Sequence, residues 1–261
     1  AYDFDWEVEE EDGNYSLSFD GEDDYVDIVD IPSNLNSFSY MGWYKKYEAT
    51  GIGQPIINTP NGKVIFSASG ELIYASAYQN RNGTAPAFEL GTVEYGGTNN
   101  WNQFAFVVNG DNQLLYINGE LVDSESEQYD FNDVYALSQI GSEGKSNANN
   151  DSYFNGLLDE LSVWDIALTE GQIQAYTNSP LSGDEQGLVS YWNFNDGEGT
   201  TLTDLSGNDN HGTIYGATWS EDGAPVEPNS IVELTVHEVD GGSGTTVSIP
   251  IDIDLMGIDI S

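Results

Sequence analysis

Cysteine is absent from the 261 residues, which excludes disulfides, zinc–thiolate sites and thiol catalysis. Basic side chains are scarce as well, with 5 Lys and Arg against 45 Asp and Glu and a formal net charge of −40. Because no basic patch can replace counterions, binding to nucleic acid or to an anionic membrane is strongly disfavoured. No apolar run approaches the roughly 20 residues that a membrane-spanning helix needs, so membrane insertion is not expected.

The acidic residues are spread along the chain rather than gathered in a tail. They alternate with apolar and aromatic residues, which make up 38% and 12% of the sequence. This pattern predicts a folded domain with a strongly negative surface, not a disordered acidic segment. Such a surface needs cations nearby, so adaptation to high salt and binding of divalent cations are two compatible interpretations.

Short segments of alternating polarity, separated by Gly, Asn and Asp, predict an all-β sandwich or jelly roll. The strongest local signal is Asn118–Gly119 between two β-rich runs, since a type I′ hairpin turn needs positive φ at both positions. One short helix is expected. Thr169 and Gln172 have the spacing of a capping box, and Asn178 and Pro180 would end the helix.

The predicted domain organisation has four parts. Residues 1–12 form an acidic lead-in strand, residues 13–220 the sandwich, residues 221–230 a polar linker, and residues 231–261 a strand-rich extension or the start of a next β domain. The apolar strands at Leu234–Val236 and Val247–Ile253 have two explanations. They begin the chain's own next domain, or they pair with a sheet edge of another copy.

Five segments in register resemble the laminin-G-like (concanavalin A-like lectin/glucanase) superfamily found in large bacterial surface proteins. They are Ser18–Val26, Trp101–Val107, Leu115–Leu121, Gly156–Trp164 and Tyr191–Trp219, and they span about residues 13–220. The resemblance implies a concanavalin A-like jelly-roll sandwich of two antiparallel sheets. One feature departs from the family: the segment from Tyr191 commonly precedes the Phe-Asp-Gly segment, and here it follows. It either completes the same sandwich, which we favour, or opens a truncated second copy.

The resemblance also implies calcium, which such domains often hold at the sandwich rim. The candidate ligands carried over on this basis are Asp20, Asp24, Asp159, Asp204 and Asn210. Calcium prefers six to eight oxygen donors from carboxylates, amides and carbonyls on turns, and Asp-rich turns supply such donors. The alternative is that Asp and Asn side chains in these turns cap their own backbone.

Hydrolase activity is disfavoured by the strand around Asp159. Retaining glucanases with this fold present two carboxylates about 5 Å apart on one face of a strand. Here the matching strand offers only Asp159 and Glu160, and adjacent strand residues are expected to point to opposite faces.

A sugar site would combine aromatic faces with polar groups that bind hydroxyls. Tyr78, Asn80 and Arg81 are the candidate ligand-binding residues, although Arg81 also suits a solvated loop. Four tryptophans lie within strand patterns and are expected in the core: Trp43, Trp101, Trp164 and Trp192.

These observations together predict a non-catalytic, calcium-dependent binding or adhesion module of a secreted or cell-surface protein. Its partner would be a glycan or another surface protein. Two alternatives stay open: a structural subunit of an extracellular fibre or sheath that assembles through its terminal strands, and a glycoside hydrolase with an unusual site.

Overall fold

The computed structural model describes residues 2–7, 13–33, 37–47, 54–58, 64–69, 72–77, 88–94, 99–126, 135–142, 152–226 and 233–238. The chain divides into two compact units. One comprises residues 13–226, and the other comprises residues 1–12 with residues 227–261.

The larger unit is built from two sheets whose strands, numbered here in chain order, all pair antiparallel. The first sheet has the order β11-β10-β9-β4-β13-β2-β17, with β14 also paired to β13. Its strands are β2 (Ser16–Asp20), β4 (Ser37–Lys46), β9 (Trp101–Asn109), β10 (Asn112–Ile117), β11 (Glu120–Ser126), β13 (Asn155–Trp164), β14 (Leu188–Trp192) and β17 (Thr218–Ser220).

The second sheet has the order β15-β16-β3-β12-β5-β6-β7-β8. Its strands are β3 (Tyr25–Ser33), β5 (Gln54–Asn58), β6 (Val64–Ser69), β7 (Leu72–Ala77), β8 (Phe88–Glu94), β12 (Tyr135–Ile140), β15 (Thr201–Leu202) and β16 (Gly212–Tyr215). The prediction of an all-β sandwich of two antiparallel sheets is confirmed.

The main core lies between the sheets. Phe19, Phe104 and Leu158 of the first sheet join Val26 and Ile140 of the second in one buried cluster. These residues alternate along their strands with outward-facing ones, as the twofold side-chain period of a strand requires. Their burial supplies the main hydrophobic stabilisation of the sandwich.

The hairpin between β10 and β11 forms at Asn118–Gly119, as predicted. The φ angles of these residues are 51° and 77°, the left-handed values that the turn needs. The turn is also tied to β9, because the Asn118 side chain accepts a hydrogen bond from the Gln103 backbone N–H at 2.8 Å.

The predicted helix is α1 (Glu170–Asn178), and its capping box is present. The Thr169 hydroxyl accepts a hydrogen bond from the Gln172 N–H, and the Gln172 side chain accepts one from the Thr169 N–H. Buried Ile173 packs with Trp164 and Leu168 in a second cluster on the outer side of the first sheet. At nine residues α1 is too short to be stable alone, so this contact with the sheet holds it in place. Within the described ranges, no helix combines the length and hydropathy needed to cross a bilayer.

The segment from Tyr191 onward completes the same sandwich. Strand β14 pairs with β13, β16 pairs with β3, and β17 pairs with β2. Both sheets therefore contain strands from this late segment, and the described residues show no start of a second copy.

The smaller unit contains β1 (Tyr2–Glu7) and β18 (Glu233–Glu238), which pair antiparallel from Tyr2 opposite Glu238 to Glu7 opposite Glu233. The first strand of the predicted extension thus pairs with the lead-in strand of its own chain. This leaves the hypothesis of assembly through terminal strands without support from β18. The other proposed assembly strand, Val247–Ile253, lies outside the described residues.

Candidate functional site

The Asp-rich turn between β2 and β3 brings three carboxylates together. One oxygen from each of Asp20, Asp23 and Asp24 lies within 4.8 Å of the other two. Asp20 and Asp23 are exposed, while Asp24 is only 6% exposed. The arrangement places hard oxygen donors at the rim of the sandwich, where the sequence predicted calcium ligands.

Hydrogen bonds within the turn set its shape. The Asp20 carboxylate accepts a bond from the Glu22 N–H at 2.8 Å, and the Asp24 carboxylate accepts one from the Asp20 N–H at 2.8 Å. Gly21 has a φ of +82°, a value that disfavours other residues at this corner. A side chain at Gly216 would clash with Oδ1 of Asp24, so the turn and the β16–β17 connection depend on each other.

The electrostatics of the turn favour a bound cation. Burial raises the pKa of Asp24 above its ordinary value, and the charges of Asp20 and Asp23 raise it further. A divalent cation among the three carboxylates would relieve both effects, because it would solvate the buried group and screen the like charges. The donor set therefore fits calcium.

Asn155 brings a side-chain amide beside the turn. It lies opposite Asp20 in the β2–β13 register, and its side chain packs against Gly21. Sequence reasoning missed Asn155, because its proximity to Asp20 depends on the pairing of two strands that are far apart along the chain.

Asp159, another predicted ligand, does not join this turn. It is 1% exposed on the outer side of β13, opposite Trp43 of β4. Its two oxygens accept hydrogen bonds from the backbone N–H groups of Glu160 at 2.8 Å and Ala224 at 2.7 Å. Burial, and then the charge of Glu160, raise the pKa of Asp159 well above its ordinary value. Asp159 therefore joins β13 to the segment that contains Ala224.

The segment that Asp159 binds comprises residues 221–226, and we term it the docked segment. Ala224 and Val226 pack against Trp43, with partly buried Trp101 beside them. The Asp222 carboxylate pairs with Lys45 at 2.6 Å and accepts a bond from the Trp101 indole at 3.0 Å. Residues that the sequence assigned to a linker thus cover the outer side of the first sheet.

The expectation that Asp159 and Glu160 point to opposite faces is wrong. A β-bulge interrupts the β13–β4 register between Asp159 and Ser162, and Glu160 has a φ of 52°. An extra residue in one strand breaks the twofold alternation of side chains. As a result, the Glu160 carboxyl lies with Asp159 on the outer side of the sheet, where it contacts Tyr191.

Glu160 is held by that phenol. The Tyr191 hydroxyl donates a hydrogen bond of 2.5 Å to the Glu160 carboxylate. Burial raises the pKa of Glu160 to about 7, although the hydrogen bond from Tyr191 opposes the rise. Burial, and then the charge of Glu160, also raise the pKa of Tyr191. Of the two groups, Glu160 has its pKa near neutral pH, and its carboxylate is already bound within the fold by Tyr191.

Asp204 and Asn210 occupy a separate turn between β15 and β16. The Asp204 carboxylate accepts four hydrogen bonds, from the backbone N–H groups of Tyr191, Ser206 and Asn210 and from the Ser206 hydroxyl. The Asn210 amide donates to the Val189 carbonyl at 3.0 Å. Asp204 thus caps its own turn, which is the alternative that the sequence had left open, and it also binds the backbone of β14. The Asn210 side chain bonds to β14 rather than to its own turn.

The remaining sequence candidates fall into two groups. Tyr78, Asn80 and Arg81 lie outside the described residues. Of the four tryptophans expected in the core, three are buried, and Trp101 is partly buried.

The fold and this rim geometry define a lectin-like β-sandwich. The chain belongs to the concanavalin A-like lectin/glucanases superfamily, whose sequence profile matches residues 20–174. The resemblance seen in the sequence is thereby confirmed. No curated protein matches the chain by sequence.

Two solved structures illustrate the similarity of fold. The first is a protein from Bacteroides ovatus to which carbohydrate binding has been attributed; it has a TM-score of 0.65 and 17% identity over 82% of this chain. This chain spans 62% of the length of that protein. The second is a heptameric SAP-like pentraxin from Limulus polyphemus, with a TM-score of 0.53, 15% identity, and coverage of 64% of this chain and 83% of the pentraxin.

Proposed function

We propose that this chain is a non-catalytic glycan-binding module of a secreted or cell-surface protein, with calcium bound at the Asp-rich turn. Membership of a superfamily that includes lectins supports the glycan partner. The carbohydrate binding attributed to the similar Bacteroides ovatus protein supports it further. The net charge of −40 suits a surface exposed to salt and divalent cations outside the cell.

The observation that carries the non-catalytic part is the state of the β13 carboxylates. Both oxygens of Asp159 are used by backbone N–H groups, and the docked segment covers its side of the sheet. Glu160 is occupied by Tyr191. A retaining or inverting glycosidase needs two carboxyls that reach the scissile bond, and these two are committed to the fold.

We expect the purified chain to bind at least one polysaccharide without cleaving it. Pull-down with insoluble polysaccharides and a glycan array measure binding, and release of reducing sugar measures cleavage. Binding with no release is expected, because the β13 carboxylates cannot approach a substrate. Release of reducing sugar that is abolished in Glu160→Gln would establish a glycosidase, and no binding to any glycan would refute the proposed partner.

Calcium is expected to raise the melting temperature of the chain. A ligand that binds only the folded state stabilises it by mass action, by about 2.7 kcal/mol at a hundredfold excess over Kd. The comparison is between chelated protein and protein in millimolar calcium at matched ionic strength, because sodium also screens the surface charge.

A matched pair of variants locates the calcium site. Asp23→Asn removes one carboxylate from the Asp-rich turn, and Asp111→Asn removes one from the exposed β9–β10 turn. The calcium-induced rise should shrink in Asp23→Asn and stay unchanged in Asp111→Asn. A melting curve of the unmodified chain that calcium does not shift would remove calcium from the proposal.

A further inference from the structure

Two tyrosines form a stacked pair on the outer side of the second sheet. Tyr25 of β3 lies opposite Tyr215 of β16, with ring centroids 4.8 Å apart and an interplanar angle of 14°. Tyr215 is 44% exposed, among the most exposed large apolar side chains of the described residues. Tyr25 is partly buried, and the residues next to the two tyrosines, Val26 and Ile214, face the core.

The outer ring face of Tyr215 is open because of the sheet topology. Strand β15 pairs with β16 at Thr201–Thr213 and Leu202–Gly212, and the Ile214 N–H donates to the Thr200 carbonyl at 2.9 Å, so the register places Gly199 opposite Tyr215. Gly199 has no side chain, and a Cβ at this position would lie in open space with no atom within 4 Å. Stacking on Tyr25 covers one face of the Tyr215 ring. The exposed part of Tyr215 therefore includes the other face, at the edge of the sheet.

Polar groups line the same side of the sheet next to the tyrosines. Asp27 follows Tyr25 on β3 with the same outward orientation, and it pairs with Thr213 on one side and Gln139 on the other. The Gln139 amide donates to the Asp27 carboxylate at 2.7 Å. A carboxylate, an amide and a hydroxyl thus lie beside a flat aromatic surface.

We propose that this patch, formed by Tyr25, Asp27, Gln139, Thr213 and Tyr215, is a binding site for uncharged hexose units of a glycan. The C–H face of a pyranose ring stacks on an aromatic ring, and its hydroxyl groups bind to carboxylates and amides. The inference rests on the proposed glycan-binding function and assigns that function to a surface. The sequence did not single out this patch, since its members come from three strands that pair only in the fold.

Charge selects neutral sugars over acidic ones. Asp27 lies within the patch, and the Asp-rich turn adjoins it, because Asp24 precedes Tyr25 and contacts Gly216 beside Tyr215. The Lys residues in the described part of the chain, Lys45 and Lys46, both lie on β4 in the other sheet. A sialic acid, a uronate or a sulfated sugar stacked on Tyr215 would meet the Asp27 carboxylate. The three carboxylates of the Asp-rich turn outnumber the two charges of one calcium ion, so the turn stays negative when calcium is bound.

The test compares glycan binding by four proteins on an array that holds neutral, amino, uronic, sialylated and sulfated oligosaccharides. They are the unmodified chain, Tyr215→Ala, Tyr215→Phe and the control Leu121→Ala, which removes an exposed apolar side chain from β11 in the other sheet. Affinities for the best neutral glycan are then measured by calorimetry, with melting curves to show that each variant is folded.

Tyr215→Ala should weaken binding of the neutral glycan at least about tenfold, whereas Tyr215→Phe and Leu121→Ala should stay within about threefold. Equal binding by a folded Tyr215→Ala would overturn the assignment to this patch while leaving the proposed function intact. Preference for sialylated, uronic or sulfated glycans would overturn the charge argument and with it the proposed ligand class. Failure of the unmodified chain to bind any glycan would refute the proposed function itself.

Discussion

Replacing Asp159 with alanine is expected to lower the free energy of unfolding by about 2–4 kcal/mol. The carboxylate accepts hydrogen bonds from two backbone N–H groups, those of Glu160 and Ala224, and it is 1% exposed. Each N–H left buried without a partner costs about 1–3 kcal/mol, and relief from burying the carboxyl offsets part of the sum. Urea denaturation of the two proteins measures the difference.

Two further variants make this prediction specific. Asp159→Asn keeps one acceptor oxygen and should lose about half as much stability as Asp159→Ala. Asp111→Ala changes an exposed acid on the β9–β10 turn and should leave the free energy of unfolding within about 0.5 kcal/mol of the unmodified chain. If Asp159→Ala unfolds at the same urea concentration as Asp111→Ala, the docked segment does not depend on Asp159.

Glu160 is expected to make the chain less stable as pH rises from about 4.5 to 7. Its pKa is about 7 in the folded chain, against an ordinary value of 4.5. Between these values the folded state binds the proton and the unfolded state releases it, so the free energy of unfolding falls with rising pH. The slope is up to about 1.4 kcal/mol per pH unit, and the total is at most about 3 kcal/mol, reduced by the partial exposure of the side chain.

The measurement is the difference between the unmodified chain and Glu160→Gln, since the carboxylates away from Glu160 titrate alike in both proteins. The substitution also removes the charge that raises the pKa of Asp159, and this change adds to the difference in the same direction. Glutamine keeps an oxygen that accepts the Tyr191 hydrogen bond but does not titrate. Glu160→Gln should equal the unmodified chain in stability near pH 4 and exceed it above pH 7. The control Glu120→Gln alters an exposed acid on β11 and should follow the unmodified chain at every pH. Parallel stability curves for the unmodified chain and Glu160→Gln would show that Glu160 titrates in its ordinary range.

The elements that sequence reasoning placed well depend on neighbouring residues. The hairpin at Asn118–Gly119 follows from the positive φ that both residues tolerate, and the start of α1 follows from the reciprocal bonds of Thr169 and Gln172. The short segments of alternating polarity likewise predicted the all-β sandwich. In each case the interacting groups are a few residues apart, so the pattern is visible in the sequence.

Reasoning from neighbouring residues could not separate the calcium-ligand candidates from side chains that cap the backbone. Asp20 and Asp24 belong to one turn, and the structure brings them together with Asp23. Asp159 and Asp204 lie in other parts of the sandwich and bind backbone groups there. The resemblance to a family offered all of them as ligands, but a carboxylate in a turn serves equally well as a cap, and only its distances to other groups separate the two roles.

The bulge in β13 could not be predicted from the pattern of residues in that strand. Alternation predicts opposite faces for Asp159 and Glu160, yet one extra residue against β4 and a positive φ at Glu160 place both carboxyls on the outer side of the sheet. A bulge arises from how two strands pair, so neither strand's sequence reveals it alone.

Composition and periodicity were sufficient for the absence of thiol chemistry, the negative surface and the all-β class, because each is a property of residue types and their spacing along one chain. The superfamily was predicted from the resemblance of five segments to a known family. The Asp-rich turn with Asn155, the docked segment on Trp43 and the stacked pair of Tyr25 and Tyr215 were not accessible in this way. Each joins residues from strands that are distant in sequence, and their contact depends on strand order and register, which are set by the packing of the whole sandwich.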